Sequence, residues 1–290
     1  MIAHRALPAG LIVPPTHGFV ASANKPWESA PGAELPLIER TVELTPAEKL
    51  AMLVRNEELV LHCQEVVRLN AGMEAPLLLD VSIRLRGEED GQTHPGLFLA
   101  LIEGDSLMAE LDRRVIERAL DWCRSARPGR EVILNFNPTL ESVNASGFAS
   151  FVEGALRARD LDPGVLCLEI SENVASDLPS SAQPNVDSLS RLGCKFAVGS
   201  SECGSASRSA MQALRASFVR FSGSLVQNLL ESATSLSRVA TVNRLCHGTG
   251  VHTVAERVED STVLRHLEEI GVSYAQGLTL DDHRPLAFYG

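Results

Sequence analysis

The stretch EVILNFNPTLESVNASGFASFVEGALRARDLDPGVLCLEISE, residues 131–172, decides the fold. It opens and closes on short apolar runs, Glu131–Phe136 and Val165–Ile170, which read as strands. Between them the longer amphipathic segment Ser146–Arg159 reads as a helix. Strand, helix, strand in this order implies parallel pairing through a right-handed crossover.

The same alternation extends in both directions. Further strands are expected at Leu59–Val67, Leu77–Leu85, Cys194–Val198, Phe218–Phe221, Val251–Ala255 and Tyr274–Gln276. Helices are expected at Leu97–Glu103, Ser106–Arg124, Asn185–Leu192, Ser207–Ala216, Leu225–Gly248 and Ser261–Ile270. Leu111, Val115, Ala119 and Trp122 recur at helical spacing and form one buried stripe, as do Val263, Leu264 and Leu267. Eight strands alternating with helices fit a closed α/β fold, a (β/α)8-type TIM barrel, better than an open sheet. A doubly wound sheet would carry a Gly-rich turn directly after its first strand, and none stands there. Ahead of the barrel, residues 1–44 read as a Pro-rich flexible leader. A helix then starts at Thr45-Pro46-Ala47-Glu48, with the hydroxyl as cap and Pro at the first helical position. The barrel domain is placed at 45–290.

With 44% hydrophobic and 22% charged residues, the 290-residue chain has an ordinary globular composition. A net charge of −11 argues against direct nucleic-acid binding, which needs a basic footprint. A local group of arginines can still hold one small phosphate-bearing ligand. No apolar run approaches the ~20 residues of a membrane span, and the N-terminus lacks the long apolar region of a signal peptide. The six cysteines are scattered without a paired motif and read as reduced, buried thiols. Together these give a cytoplasmic expectation.

In a barrel, polar residues at the C-terminal strand ends point into one mouth. Reading those ends in order gives Asp80 with Arg84, then Asn135 with Asn137, Glu169 with Glu172, Glu256 with Glu259, and Gln276. Converging carboxylates and an amide form an oxygen set that suits a hard divalent cation. The histidines are scattered. His247 and His252 flank the start of the seventh expected strand, the wrong end for chemistry, and His62 sits in the first.

These residues resemble a known family, the EAL domain, over about Leu59 to Pro285. Gln64 keeps the family's opening Gln, with Glu65 in place of its Pro. LEISE at Leu168–Glu172, NFNP at Asn135–Pro138, VAERVE at Val254–Glu259 and AQG at Ala275–Gly277 follow in the family's order. The resemblance implies a TIM-like barrel and a bacterial signalling role, the hydrolysis or sensing of cyclic di-GMP. It places metal ligands at Asp80, Asn135, Glu169 and Glu256, and ligand contacts at Gln64, Arg84, Arg220 and Gln276.

The departures bear on activity. The name-giving Glu-Ala-Leu is Asp80-Val81-Ser82. The Asp-Asp pair after the fifth strand is Gly199-Ser200, in a Ser-rich loop expected to be flexible. Lys-Ile-Asp is Arg220-Phe221-Ser222, and the Gly of Ala-Glu-Gly-Val-Glu is Arg257. Water attack on a phosphodiester uses paired metals held by a bridging carboxylate, and glycine with serine cannot bridge. The expectation is a catalytically degenerate EAL domain, a pseudoenzyme. It would act as a cyclic di-GMP receptor or as an adaptor for a protein partner, with homodimerisation allowed by the family. No cofactor is required; Mg or Mn would bind only at a remnant site. The alternative is a weakly active metal-dependent phosphodiesterase. A different barrel enzyme finds no nucleophile and base in the sequence.

Overall fold

The deciding stretch folds as β4 (Val132–Phe136), a short helix α2 (Leu140–Asn144), α3 (Phe148–Arg159) and β5 (Leu166–Ser171). Asp112 fixes α2 to the preceding helix, α1 (Ser106–Ala126), by accepting from the Thr139 N–H at 2.7 Å and the Ser142 hydroxyl at 2.6 Å. Gly147 makes the bend between α2 and α3 at φ 82°, a left-handed conformation natural to glycine. The pairing of β4 with β5 is parallel, as the sequence implies. The structure is a computed structural model, and it describes residues 59–69, 75–85, 106–126, 129–176, 178–200 and 202–290. The leader of residues 1–44, the helix from Thr45 and the helix at 97–103 fall outside the described residues.

The remaining strands are β1 (Leu59–Glu65), β2 (Val67–Arg68), β3 (Leu77–Leu85), β6 (Lys195–Ser200), β7 (Phe218–Phe221), β8 (His252–Ala255), β9 (Tyr274–Ala275) and β10 (Arg284–Pro285). They form one sheet in the order β10-β1-β3-β4-β5-β6-β7-β8-β9-β2. β1 and β2 are a single run interrupted at Val66, whose N–H bonds the Leu78 carbonyl at 2.8 Å. One segment therefore pairs with β3 on one side and β9 on the other, and the ring closes through it.

That segment corrects the expectation of uniformly parallel strands. β3 to β9 are parallel neighbours, whereas β1 and β2 run antiparallel to theirs. The cause is length. Only residues 69–76 join β2 to β3, fewer than the dozen or more that a parallel crossover needs.

The other helices are α4 (Glu172–Ser176), α5 (Gln183–Leu192), α6 (Ser205–Leu214), α7 (Gly223–Gln227), α8 (Ala233–Thr249) and α9 (Ser261–Ile270). The long helix expected at Leu225–Gly248 is two, α7 and α8. The break falls where the Ser232 hydroxyl accepts from the Ser235 N–H and caps α8. The main core lies between sheet and helices, with Leu79, Leu134 and Leu168 facing Leu120, Val152 and Leu189 among others. All six cysteines are buried free thiols.

A second, smaller core fills the barrel: Val66, Leu78, Ile133, Cys167, Ala197, Phe218, Val254 and Tyr274, one residue per stave. It is the floor on which the mouth is built.

Candidate functional site

Successive side chains on a strand alternate faces, so residues two apart share one. Two positions above the apolar floor therefore stand Gln64, Asp80, Asn135, Glu169, Gly199, Arg220, Glu256 and Gln276. The strand register agrees, pairing Gln64 with Asp80, Asp80 with Asn135, and Gly199 with Arg220. Seven of the eight positions are polar side chains, and the eighth is glycine. On β3 the same face carries Ser82 and Arg84 beyond Asp80. On the antiparallel β1 it carries, beyond Gln64, His62, whose pKa is lowered by burial and then by the charges of Arg84 and His283. Of these, Gln64, Asp80, Glu169, Arg220, Glu256, Gln276 and His283 line a cavity of about 620 Å3, with Asn137, Arg257 and Glu259 at its walls.

The hydrogen bonds form one continuous network. Asn135 Nδ2 donates to Asp80 Oδ1 at 2.8 Å and to Glu169 Oε2 at 2.9 Å. Gln276 Nε2 donates to Gln64 Oε1 and Asp80 Oδ2, both at 2.9 Å. Gln64 Nε2 in turn reaches the Asp281 carbonyl at 2.6 Å, which ties the mouth to the C-terminal segment. At the centre lies Arg220, only 3% exposed. Its Nε stands 2.8 Å from Glu256 Oε1 and 2.9 Å from Glu169 Oε2, and one terminal nitrogen is 3.4 Å from Asp80 and 2.7 Å from Gln276 Oε1.

Burial opposes the charge on Arg220, but Glu169, Asp80 and Glu256 outweigh it and raise its pKa above the ordinary value. Burial pushes the Glu256 carboxyl up to about 7. Glu169 and Asp80 add to the rise, and Arg220 opposes it. Three carboxylates thus share one permanently charged guanidinium.

The family's metal pair can be tested against this geometry. The carboxylates expected to ligate metal, Asp80, Glu169 and Glu256, do converge, with Asn135 between two of them. The guanidinium engages Glu169 Oε2 and Glu256 Oε1 at 2.9 and 2.8 Å, and the Asp80 oxygens accept from Asn135 and Gln276, so these oxygens are already occupied. Gly199 offers no carboxylate, and the space above it is taken: a Cβ there would lie 2.8 Å from Glu169 Oε1. The residues do not fit two divalent cations. Among the described residues, no group of three His, Cys, Asp or Glu side chains has the geometry of a metal site.

The loop after β6 is another correction. It is held in place by Glu172, which accepts from the Ser200 hydroxyl at 2.9 Å, the Glu202 N–H at 2.9 Å and the Ser207 hydroxyl. Glu172 opens α4 and is 2% exposed, so it serves the loop and is absent from the cavity lining. The sequence reading also passed over His283 and the anchoring of Gln64 by Asp281, because both lie after the last expected strand.

A cavity of about 700 Å3 lies at the opposite end of the strands, beside Arg130, Glu131, Val132 and Val165. Its arginines are already engaged, Arg130 with Glu65 at 2.7 Å, Arg159 with Asp121 at 2.7 Å and Arg124 with the Ala158 carbonyl at 3.2 Å. The mouth is therefore the candidate site.

A closed α/β barrel with an antiparallel first strand and an acid–amide mouth is the architecture of a TIM-like domain with its chemistry at the C-terminal strand ends. The EAL domain family model matches residues 47–281, and the chain belongs to that family. Relatives include the cyclic di-GMP phosphodiesterase PdeB of Shewanella oneidensis, 28% identical over 84% of this chain. The cyclic di-GMP phosphodiesterase PdeF of Escherichia coli is 25% identical over 82%. The chain spans only 28% and 32% of their respective lengths. In structure it is similar to the FimX EAL domain from Pseudomonas aeruginosa bound to c-di-GMP, with TM-score 0.75 and 22% identity over 84% of this chain and 98% of that one. It is also similar to the PaMucR phosphodiesterase in its c-di-GMP complex, with TM-score 0.74 and 22% identity, covering 84% and 98%. No described helix is long and apolar enough to cross a membrane.

Proposed function

We propose that this domain is a non-hydrolysing EAL module that binds cyclic di-GMP and relays its presence. One observation carries the reading: the Arg220 guanidinium lies within 2.9 Å of both Glu169 and Glu256, carboxylates that a metal site would need free. An arginine cannot generate a hydroxide nucleophile by lowering the pKa of a bound water, as a metal does. Its proton is held too tightly for it to act as a base.

Binding is a separate matter from turnover. The mouth keeps a cavity of about 620 Å3, within the range of small-ligand sites. Arg84 stands on the same strand face as Asp80 and makes no hydrogen bond or ion pair among the described residues, so it is available to an anionic ligand. Arg220, whose family counterpart is a lysine, acts here mainly by holding the carboxylates, with Gln64 and Gln276 fixed beside it.

The retained Asp80, Asn135, Glu169 and Glu256 favour a second reading, a weak metal-dependent phosphodiesterase. Calorimetric titration with cyclic di-GMP, with and without Mg2+ or Mn2+, alongside an assay for linear product, separates the two. The expected result is saturable binding unaffected by metal and no product. Turnover at enzymatic rates would establish the second reading. Absence of binding would leave an adaptor for a protein partner.

A further inference from the structure

Two arginines line the cavity, Arg220 and Arg257, with Arg84 on the β3 face beyond it, and only Arg220 is committed to carboxylates. Arg220 is surrounded by carboxylates. Arg257 is exposed and makes no hydrogen bond or ion pair among the described residues. Its backbone lies at φ 53°, the left-handed region that residues with a side chain avoid. Glycine adopts that conformation freely. A long side chain has thus been put on a backbone suited to glycine.

The neighbouring structure accommodates it. A Cβ on Gly223, at the start of α7, would lie 2.7 Å from Arg257 Cγ and 2.8 Å from its Cβ. The arginine stem therefore rests on bare glycine backbone, and the absence of a side chain at 223 gives it room beside the mouth. A strained residue that persists at the edge of a cavity points to a role there.

Charge gives that role content. The cavity walls carry four carboxylates, Asp80, Glu169, Glu256 and Glu259, against the guanidiniums of Arg220 and Arg257. An anionic ligand entering this lining meets net negative charge, and Arg220 is already neutralised by its partners. We propose that Arg257 is an anion-binding residue of the mouth, in addition to Arg84. Its planar fork engages a phosphodiester oxygen pair of the bound nucleotide and supplies the positive charge that metals give elsewhere. This rests on the receptor reading above and assigns a second residue, beyond Arg84, that contributes to that reading's affinity.

Arg257→Gly tests it with two readouts. Relief of the left-handed strain raises the melting temperature, so lost binding cannot be blamed on misfolding. Cyclic di-GMP affinity by calorimetry falls roughly 10-fold or more, the usual loss when a charge-assisted contact is removed. Arg257→Lys, which keeps charge but not the fork, lies between. Unchanged affinity in Arg257→Gly would overturn the assignment while leaving the receptor reading standing. A wild-type chain that fails to bind the nucleotide would overturn both, and that outcome appears before any substitution is made.

Discussion

Replacing Arg220 by methionine is expected to destabilise the domain by about 3–5 kcal/mol at pH 8, the usual cost of removing one partner from a buried charge cluster. The side chain is buried at 3% exposure and faces Asp80, Glu169 and Glu256 within 3.4 Å. Methionine fills similar volume, so the loss reports charge rather than a cavity. Glu256, already pushed up by burial, loses the guanidinium that opposes the rise and binds its proton more tightly in the folded state than in the unfolded chain. Its folded pKa rises, so the penalty is fully present above that value and fades as pH falls toward the ordinary carboxylate range. Glu256, pushed up to about 7 even beside Arg220, sets the upper part of that window. Urea unfolding at pH 8 and pH 5 checks the prediction: the gap between wild type and Arg220→Met should narrow markedly on acidification. An equal gap at both values would mean that Arg220 contributes packing alone.

The second large effect is a failure. Restoring the family's acid pair with Gly199→Asp and Ser200→Asp is expected to leave hydrolysis at background. The new side chain at 199 would project 2.8 Å from Glu169 Oε1, and the guanidinium would still hold Glu169 and Glu256. Ser200 is itself buried and bonded to Glu172, so an aspartate there would put a second carboxylate against one already buried. Adding Asp80→Glu and Arg220→Lys to the pair removes the fork and lengthens the short ligand. Only this fourfold change is expected to give metal-dependent linear product. Measurable product from the double variant alone would show that the loss of activity was confined to one loop.

Much of this was legible in the sequence, for a physical reason. Strands with a period of two, each running from an apolar to a polar residue, place Ile133 below Asn135, Cys167 below Glu169 and Val254 below Glu256. The mouth can therefore be listed from the strand ends. The antiparallel first strand was also within reach, since residues 69–76 are too few for a crossover. The lock on Arg220 was not, because its partners come from β3, β5 and the end of β8 and only closure of the ring brings them together. The tying of the Ser200–Ser207 loop was hidden for the same reason. Its composition reads as loose, but the carboxylate that fastens it lies 28 residues upstream of Ser200. The break between α7 and α8 depends on a single serine cap in a sequence rich in serine.

The central claim is that a guanidinium holds carboxylates that a metal site would need free. Titration of the purified protein with Mn2+, followed by the paramagnetic resonance of the free ion in the presence of cyclic di-GMP, tests it directly. The expected result is no tight Mn2+ at the mouth and nucleotide recovered intact. Two Mn2+ bound per chain, with linear dinucleotide accumulating, would contradict it.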